Sequence, residues 1–129
     1  FEGILSFNGT EKIPVSILFA MNVYGNDSRK INTDGTTGKI FMSKYAEIGY
    51  SKNIKEMTVK AFLGATFDKP DTDRGETGFY GNKKAGIINL GIKTSKSVAI
   101  TETYSLPLQA SLIVNPESEN IFFVFGISF

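Results

Sequence analysis

The chain contains no cysteine, no histidine and no tryptophan. Without cysteine there is no disulfide framework and no thiolate metal site. Without histidine there is no Ser-His or Cys-His nucleophile pair, no HExxH zinc site and no imidazole acid–base chemistry. Excess charge is also missing: 14 basic residues face 13 acidic ones, a net of +1. That balance gives no electrostatic case for a nucleic-acid partner. No apolar run reaches the roughly 18 residues that mark a membrane-crossing helix. The sequence opens on Phe1 without a Met or a secretory signal, which fits a processed form or a fragment.

Eleven Phe, five Tyr and 13 Gly in 129 residues point to sheet, in a single domain spanning 1–129. The clearest stretch is the last one. Stepping back by two from Phe129 gives Ile127, Phe125, Phe123 and Ile121, an unbroken apolar face. The other face reads Ser128, Gly126, Val124, Phe122 and Asn120. A period of two is the period of a β-strand, because successive side chains leave opposite sides of the pleat.

Similar alternation recurs along the chain and predicts seven strands, over about 1–7, 13–24, 40–51, 57–67, 85–96, 104–115 and 119–129. Asn8-Gly9 is a strong turn dipeptide. Residues 52–55 read as a short turn, and 25–38 and 68–84 as long polar loops. No helix is expected. Long connections thus alternate with short ones, so an up-and-down arrangement collects the short turns at one rim. Outer-membrane barrels have that asymmetry.

Alternation alone does not tell an apolar face that fills a core from one that meets lipid. Three features favour lipid. The predicted strands are about 11 residues long, against a typical mode of about 5–6 in globular proteins and roughly 9–11 for membrane strands. Phe7, Tyr50, Tyr104 and Phe129 gather near the short-turn rim, as an interfacial girdle would. The chain also ends on a large apolar ring, although termini commonly fray. The expected fold is therefore all-β: an antiparallel up-and-down transmembrane β-barrel. The competing reading is a soluble, lipocalin-like barrel holding an apolar ligand. A third is an accessory subunit of a larger outer-membrane complex.

On the lipid reading, Leu106, Leu108, Leu112, Ile121, Phe123, Phe125 and Ile127 face outward. Glu47, Lys60, Asn89, Gln109 and Ser111 face the lumen, and Lys93 joins them if the long loop preserves the register. A turn centred near Asn53 and Ile54 places Glu47 directly opposite Lys60. That pair is either a charged constriction or a neutralising ion pair in a filled interior. Lys44 falls on the apolar face and is expected to reach the rim near the long loop. Asp68, Asp71, Asp73 and Glu76 form an acidic loop, read as solvated rather than as a Ca²⁺ site because the EF-hand pattern is not met. No metal, cofactor or enzymatic activity is expected. Seven strands ending at the periplasmic rim leave Phe1 at the extracellular rim, so at least one further strand is expected to complete an even-stranded barrel.

Four segments carry a resemblance: Asn89-Leu90-Gly91-Ile92-Lys93, Tyr104-Ser105-Leu106-Pro107-Leu108, Leu112-Ile113-Val114-Asn115-Pro116 and Val124-Phe125-Gly126-Ile127-Ser128-Phe129. Together they resemble the C-terminal half of TorF-type porins of Gram-negative outer membranes. The ending with Phe125, Ile127 and Phe129 is similar to the C-terminal signal read by the outer-membrane assembly machinery. The resemblance implies a bacterial outer-membrane location, with membrane lipid, that machinery and other outer-membrane subunits as partners. A passive channel or a structural component is implied, with no catalytic signature to carry over.

Overall fold

The structure is a computed structural model that describes residues 1–127. Nine strands form among the described residues: β1 (Glu2–Phe7), β2 (Val15–Asn22), β3 (Arg29–Ile31), β4 (Thr37–Ile40), β5 (Lys44–Ile54), β6 (Met57–Thr66), β7 (Gly86–Ala99), β8 (Ser105–Asn115) and β9 (Asn120–Ile127). A single 3₁₀ turn, Thr72–Arg74, interrupts the second long loop.

Seven strands make one sheet in the order β1-β2-β5-β6-β7-β8-β9, with every neighbouring pair antiparallel. Strand order follows chain order, as the hairpin rhythm predicts. Among the described residues the sheet is open: β1 and β9 are its two edges and do not pair with each other. β5, β6, β7 and β8 run 11, 10, 14 and 11 residues. β1 and β2, at 6 and 8 residues, are shorter than expected. The chain between them is taken up by a Thr10–Ile13 turn closed by two backbone hydrogen bonds (2.7 and 3.1 Å), followed by Pro14, which has no N–H to offer a ladder.

Three further details differ from the sequence reading. The β5–β6 turn is Lys55-Glu56, not 52–55, because Ile54 pairs with Met57 and Asn53 with Thr58. The Thr58 hydroxyl donates to Asn53 Oδ1 (2.9 Å), which keeps Asn53 in the ladder, and Lys55 takes the positive φ (55°) that the tight turn requires. The 25–38 segment is not a plain loop. It contains the β3–β4 hairpin, whose tip is Asp34-Gly35, a turn dipeptide with Gly35 at φ 80°. Period-two alternation puts Ile88, Leu90 and Ile92 on one face of the predicted strand over 85–96, but Ile88 does not share the face of the other two. Gly64 pairs with Asn89 but Ala65 pairs with Ile87, so Ile88 is the extra residue of a β-bulge and is buried.

The acidic loop is corrected too. Asp68 and Glu76 are buried, not solvated. Glu76 Oε1 accepts from the Ile31 amide (2.6 Å) and Oε2 from the Asp71 amide (2.8 Å), tying the β3–β4 hairpin to the second long loop. Asp68 Oδ2 accepts from the Lys44 amide (3.1 Å) and the Thr66 hydroxyl (3.1 Å). Asp27 does the same for the first long loop, accepting from the Ser43 amide (3.0 Å), the Ser43 hydroxyl (2.6 Å) and the Ser28 amide (2.8 Å). Short carboxylates satisfy backbone donors that loop geometry leaves without ladder partners. Among the described residues no three acidic side chains converge as a metal cage would. Lys44 lies at the start of β5 and its ammonium turns back to the Met42 carbonyl (3.1 Å), at the long-loop end.

Candidate functional site

The ladder registers decide which residues share a face. One row across the sheet runs Phe7, Ile17, Ile48, Leu63, Leu90, Val114, Ile121. A second runs Val15, Tyr50, Ala61, Ile92, Leu112, Phe123. Leu108 pairs with Ile127, Ala110 with Phe125, and Leu106 with Val98, all on this same side. The seven residues expected on the apolar face are thus brought together there. Phe129, the last residue of the expected assembly signal, lies outside the described residues, while Phe125 and Ile127 are exposed on the apolar face.

The opposite face collects the six expected polar residues. One row reads Ser51, Lys60, Lys93, Ser111, Val124. The next row on one side holds Thr58, Ser95 and Gln109; on the other side the row Gly49, Phe62, Gly91, Ile113 intervenes before the row of Glu47, Gly64 and Asn89. Lys93 keeps the register because the bulge at Ile88 lies on the loop side of it.

Glu47 is not directly opposite Lys60. Its ladder partner is Gly64, and Lys60 is opposite Ser51. The difference comes from the turn, which sits nearer to β6 than expected. The two charges still meet, because Lys60 Nζ donates to Glu47 Oε1 at 3.4 Å. The lysine stem reaches that carboxylate by lying across Gly49, where a Cβ would collide with Lys60 Cε. Glu47 Oε2 accepts from the Tyr45 hydroxyl (2.7 Å), and Asn89 Nδ2 donates to the Tyr45 oxygen (3.0 Å). One hydrogen-bonded chain therefore links β7, β5 and β6, and every link fixes the next.

Glycines make that network possible. The Tyr45 ring and hydroxyl occupy the space a Cβ on Gly64 would fill, and the Phe62 ring does the same over Gly91. A glycine inside a strand gives up side-chain packing, and here it admits a neighbour's ring or stem. The three glycines and Tyr45 were not singled out in the sequence. The legible signal was interior glycine on the polar face of three neighbouring strands.

The long loops close over the end of this face. Tyr80 packs on Tyr45 with ring centroids 5.7 Å apart, and Phe79 meets Tyr80 edge-on at 5.2 Å. Burial pushes the Tyr80 phenol upward, with Glu2, Asp68 and Asp27 adding to it. Behind them Asn82 is fully buried, its Nδ2 donating to the Asp68 and Lys84 carbonyls (3.3 and 3.0 Å). Burial acts to raise the Asp27 carboxyl, but its hydrogen bonds, led by the Ser43 hydroxyl, outweigh that and hold it below the usual range. The amides of Asp71 and Ile31 hold the Glu76 carboxyl down in the same way.

The arrangement suits structural packing and the placement of fixed charge. Lys60 and Lys93 are direct cross-strand neighbours, and of these two lysines only Lys60 has a carboxylate within ion-pair distance among the described residues. Comparisons with family models, with characterised proteins and with solved structures find no match to this chain.

Proposed function

We propose that the chain is a β-barrel protein of the bacterial outer membrane, with lipid against its apolar face and a side-chain-filled polar interior. The observation that carries this reading is an inversion of burial. Ile48 is 54% exposed and Tyr50 52%, while the side chains of Glu47 and Lys60 between and beside them are 19% and 32% exposed. A water-soluble domain does the reverse, burying aliphatics and leaving Lys and Glu in solvent. Among the described residues the buried hydrophobics are Ala20 and Ile88 alone, so the apolar surface of the sheet has no protein core to enter. An apolar patch of this extent marks a membrane or an interface. The same inversion counts against a lipocalin-like interior, which would need the aliphatic face turned inward.

Between an open channel and a structural component, the crowded polar face favours the structural role. Tyr45, Lys60 and Phe62 fill the notches that Gly64, Gly49 and Gly91 leave. Small barrels hold packed side chains where larger ones hold water. Phe125 and Ile127 would serve as part of the segment that the assembly machinery reads.

Because the chain has no tryptophan, an introduced one reports alone. Ile48→Trp and Ser111→Trp should be reconstituted into phosphatidylcholine vesicles containing brominated lipid. Strong quenching of the first and little of the second is the expected result. Equal quenching, or failure of the protein to float with the vesicles, would refute the proposal.

A further inference from the structure

We propose that the cleft between the end of β2 and the β3–β4 hairpin seats the phosphate-bearing headgroup of an anionic membrane lipid, whose acyl chains run down the apolar face of the sheet. The inference deepens the outer-membrane reading and rests on it for the presence of lipid against that face.

The cleft has a volume of about 510 Å³ and is lined by Val23, Tyr24, Arg29, Lys39, Ile40 and Met42. One wall is apolar: Val23, Tyr24 and Met42 are all exposed. Val23 follows Ile17, Phe19 and Met21 at the two-residue spacing of the apolar face, so the cleft continues that face at its long-loop end. Met42 stands there at a positive φ of 55°, a backbone conformation that costs a non-glycine residue energy. Strain of this kind collects at ligand sites.

The other wall is cationic. Arg29 is directly opposite Ile40 in the β3–β4 ladder, and its Nη1 donates to the Gly38 carbonyl (3.4 Å). Lys39 precedes Ile40, and Lys44 Nζ lies beside the cleft, donating to the Met42 carbonyl (3.1 Å). Among the described residues none of these three cations has a carboxylate within ion-pair distance, and no acidic residue lines the cleft. The carboxylate of Asp27, in the same segment, is taken up by Ser28 and Ser43. A neighbouring cleft between the hairpin and the second long loop shows the contrast. There Lys30, Lys69 and Arg74 are matched by Asp34, Asp71 and Glu76, and Arg74 pairs with Asp71 at 3.1 Å. That cleft neutralises itself, and the first does not.

Positive charge without a protein counter-ion, at the end of an apolar surface, fits a ligand with phosphate oxygens joined to hydrocarbon. A guanidinium can grip phosphate with two parallel hydrogen bonds, and an ammonium adds a point charge. Tyr24 supplies an aromatic ring of the kind that sits at headgroup level. Basic pockets at a membrane surface select anionic headgroups. A free anion would leave Val23, Tyr24 and Met42 in water, so the lipid is the better occupant.

The test uses the full chain with Tyr24→Trp as reporter, which keeps an aromatic ring in the cleft. It is reconstituted into phosphatidylcholine vesicles holding a minor fraction of phosphatidylglycerol, with bromine carried on one lipid or the other in equal amount. Brominated phosphatidylglycerol should quench about fivefold more per mole than brominated phosphatidylcholine, the order expected of one cation near an anionic lipid. Ile48→Trp, in the middle of the face, should show no preference. Arg29→Gln with Lys39→Gln should abolish the preference at Tyr24→Trp. Lys12→Gln with Lys52→Gln, an equal loss of charge at the short-turn rim, should keep it, and so should inorganic phosphate added at constant ionic strength. Equal quenching by both lipids at Tyr24→Trp would overturn the site. So would a preference shared by Ile48→Trp, one that survives the Arg29 and Lys39 substitutions, or one lost with Lys12 and Lys52. Abolition by inorganic phosphate would mean a free-anion site and overturn it as well. Absence of quenching by either lipid at both positions would instead be the failure of the membrane reading, and the proposal would fall with it.

Discussion

Lys60 reaches the Glu47 carboxylate at 3.4 Å although its ladder partner is Ser51. The contact is diagonal, and it exists because Gly49 leaves room for the lysine stem. Replacing Glu47 by Gln removes the one carboxylate that, among the described residues, lies within ion-pair distance of Lys60, which is directly paired across strands with Lys93. Like charges opposite each other destabilise a sheet. Glu47→Gln should cost about 1–2 kcal/mol, a value discounted for the partial exposure of the pair. Adding Lys60→Met should recover part of the loss. Guanidinium unfolding of the single and double variants measures both.

Gly64→Ala should cost about 1–3 kcal/mol, as overpacking does. The added methyl collides with Tyr45, whose hydroxyl bridges Asn89 and Glu47. In a Tyr45→Ala background the same glycine substitution should be nearly neutral. A double-mutant cycle reads the coupling directly.

Acid should loosen the loop end of the molecule before the sheet. Glu76 and Asp27 both have carboxyls held below their ordinary values of 4.5 and 3.8. A depressed folded-state value contributes stability that is present above the unfolded value and is lost as pH falls through the folded one. Exchange of the Ile31 and Ser43 amides should therefore accelerate as pH drops below about 4, relative to the intrinsic acid dependence, while amides of β6 and β7 should not. Glu76→Gln should speed Ile31 exchange at neutral pH and flatten its response to acid. Hydrogen-exchange mass spectrometry between pH 6 and about pH 3, the window set by these carboxyls, checks it.

Charge placed in the middle of the apolar face should separate lipid from water as its surroundings. Leu63→Arg is expected to cost roughly 2–4 kcal/mol in a bilayer. Ser111→Arg on the opposite face should cost less. Similar small effects for both in vesicle-based unfolding would argue against lipid contact at Leu63.

Much of the fold was legible because period-two alternation is a property of neighbouring residues alone. Leu106 to Leu112 and Ile121 to Ile127 place themselves on one face without any knowledge of the partner strand. The β5–β6 turn was misplaced because no glycine marks it: Lys55 adopts a positive φ that its side chain does not advertise. Ile88 was misplaced because a bulge is a relation between two strands and leaves no local pattern. The acidic loop was misread for a similar reason. Asp68 and Glu76 look solvated until their amide donors, Lys44 and Ile31, arrive from distant segments. The β3–β4 hairpin, by contrast, was signalled by Asp34-Gly35 and could have been found.

Alternation has one blind spot, and the seated rings and stems over Gly49, Gly64 and Gly91 speak to it. Sliding a strand by two residues leaves every apolar side chain on its original face, so the hydrophobic pattern cannot tell the native ladder from its shifted copies. The glycines can. Tyr45 is paired with Thr66 and leans diagonally over Gly64; a two-residue slip would put Phe62 or Thr66 in that diagonal position under its ring, and would move Lys60 off Gly49. The smallest residues of the sheet thus act as a key cut for particular large ones. They supply the positional information that a repeat of period two is unable to encode.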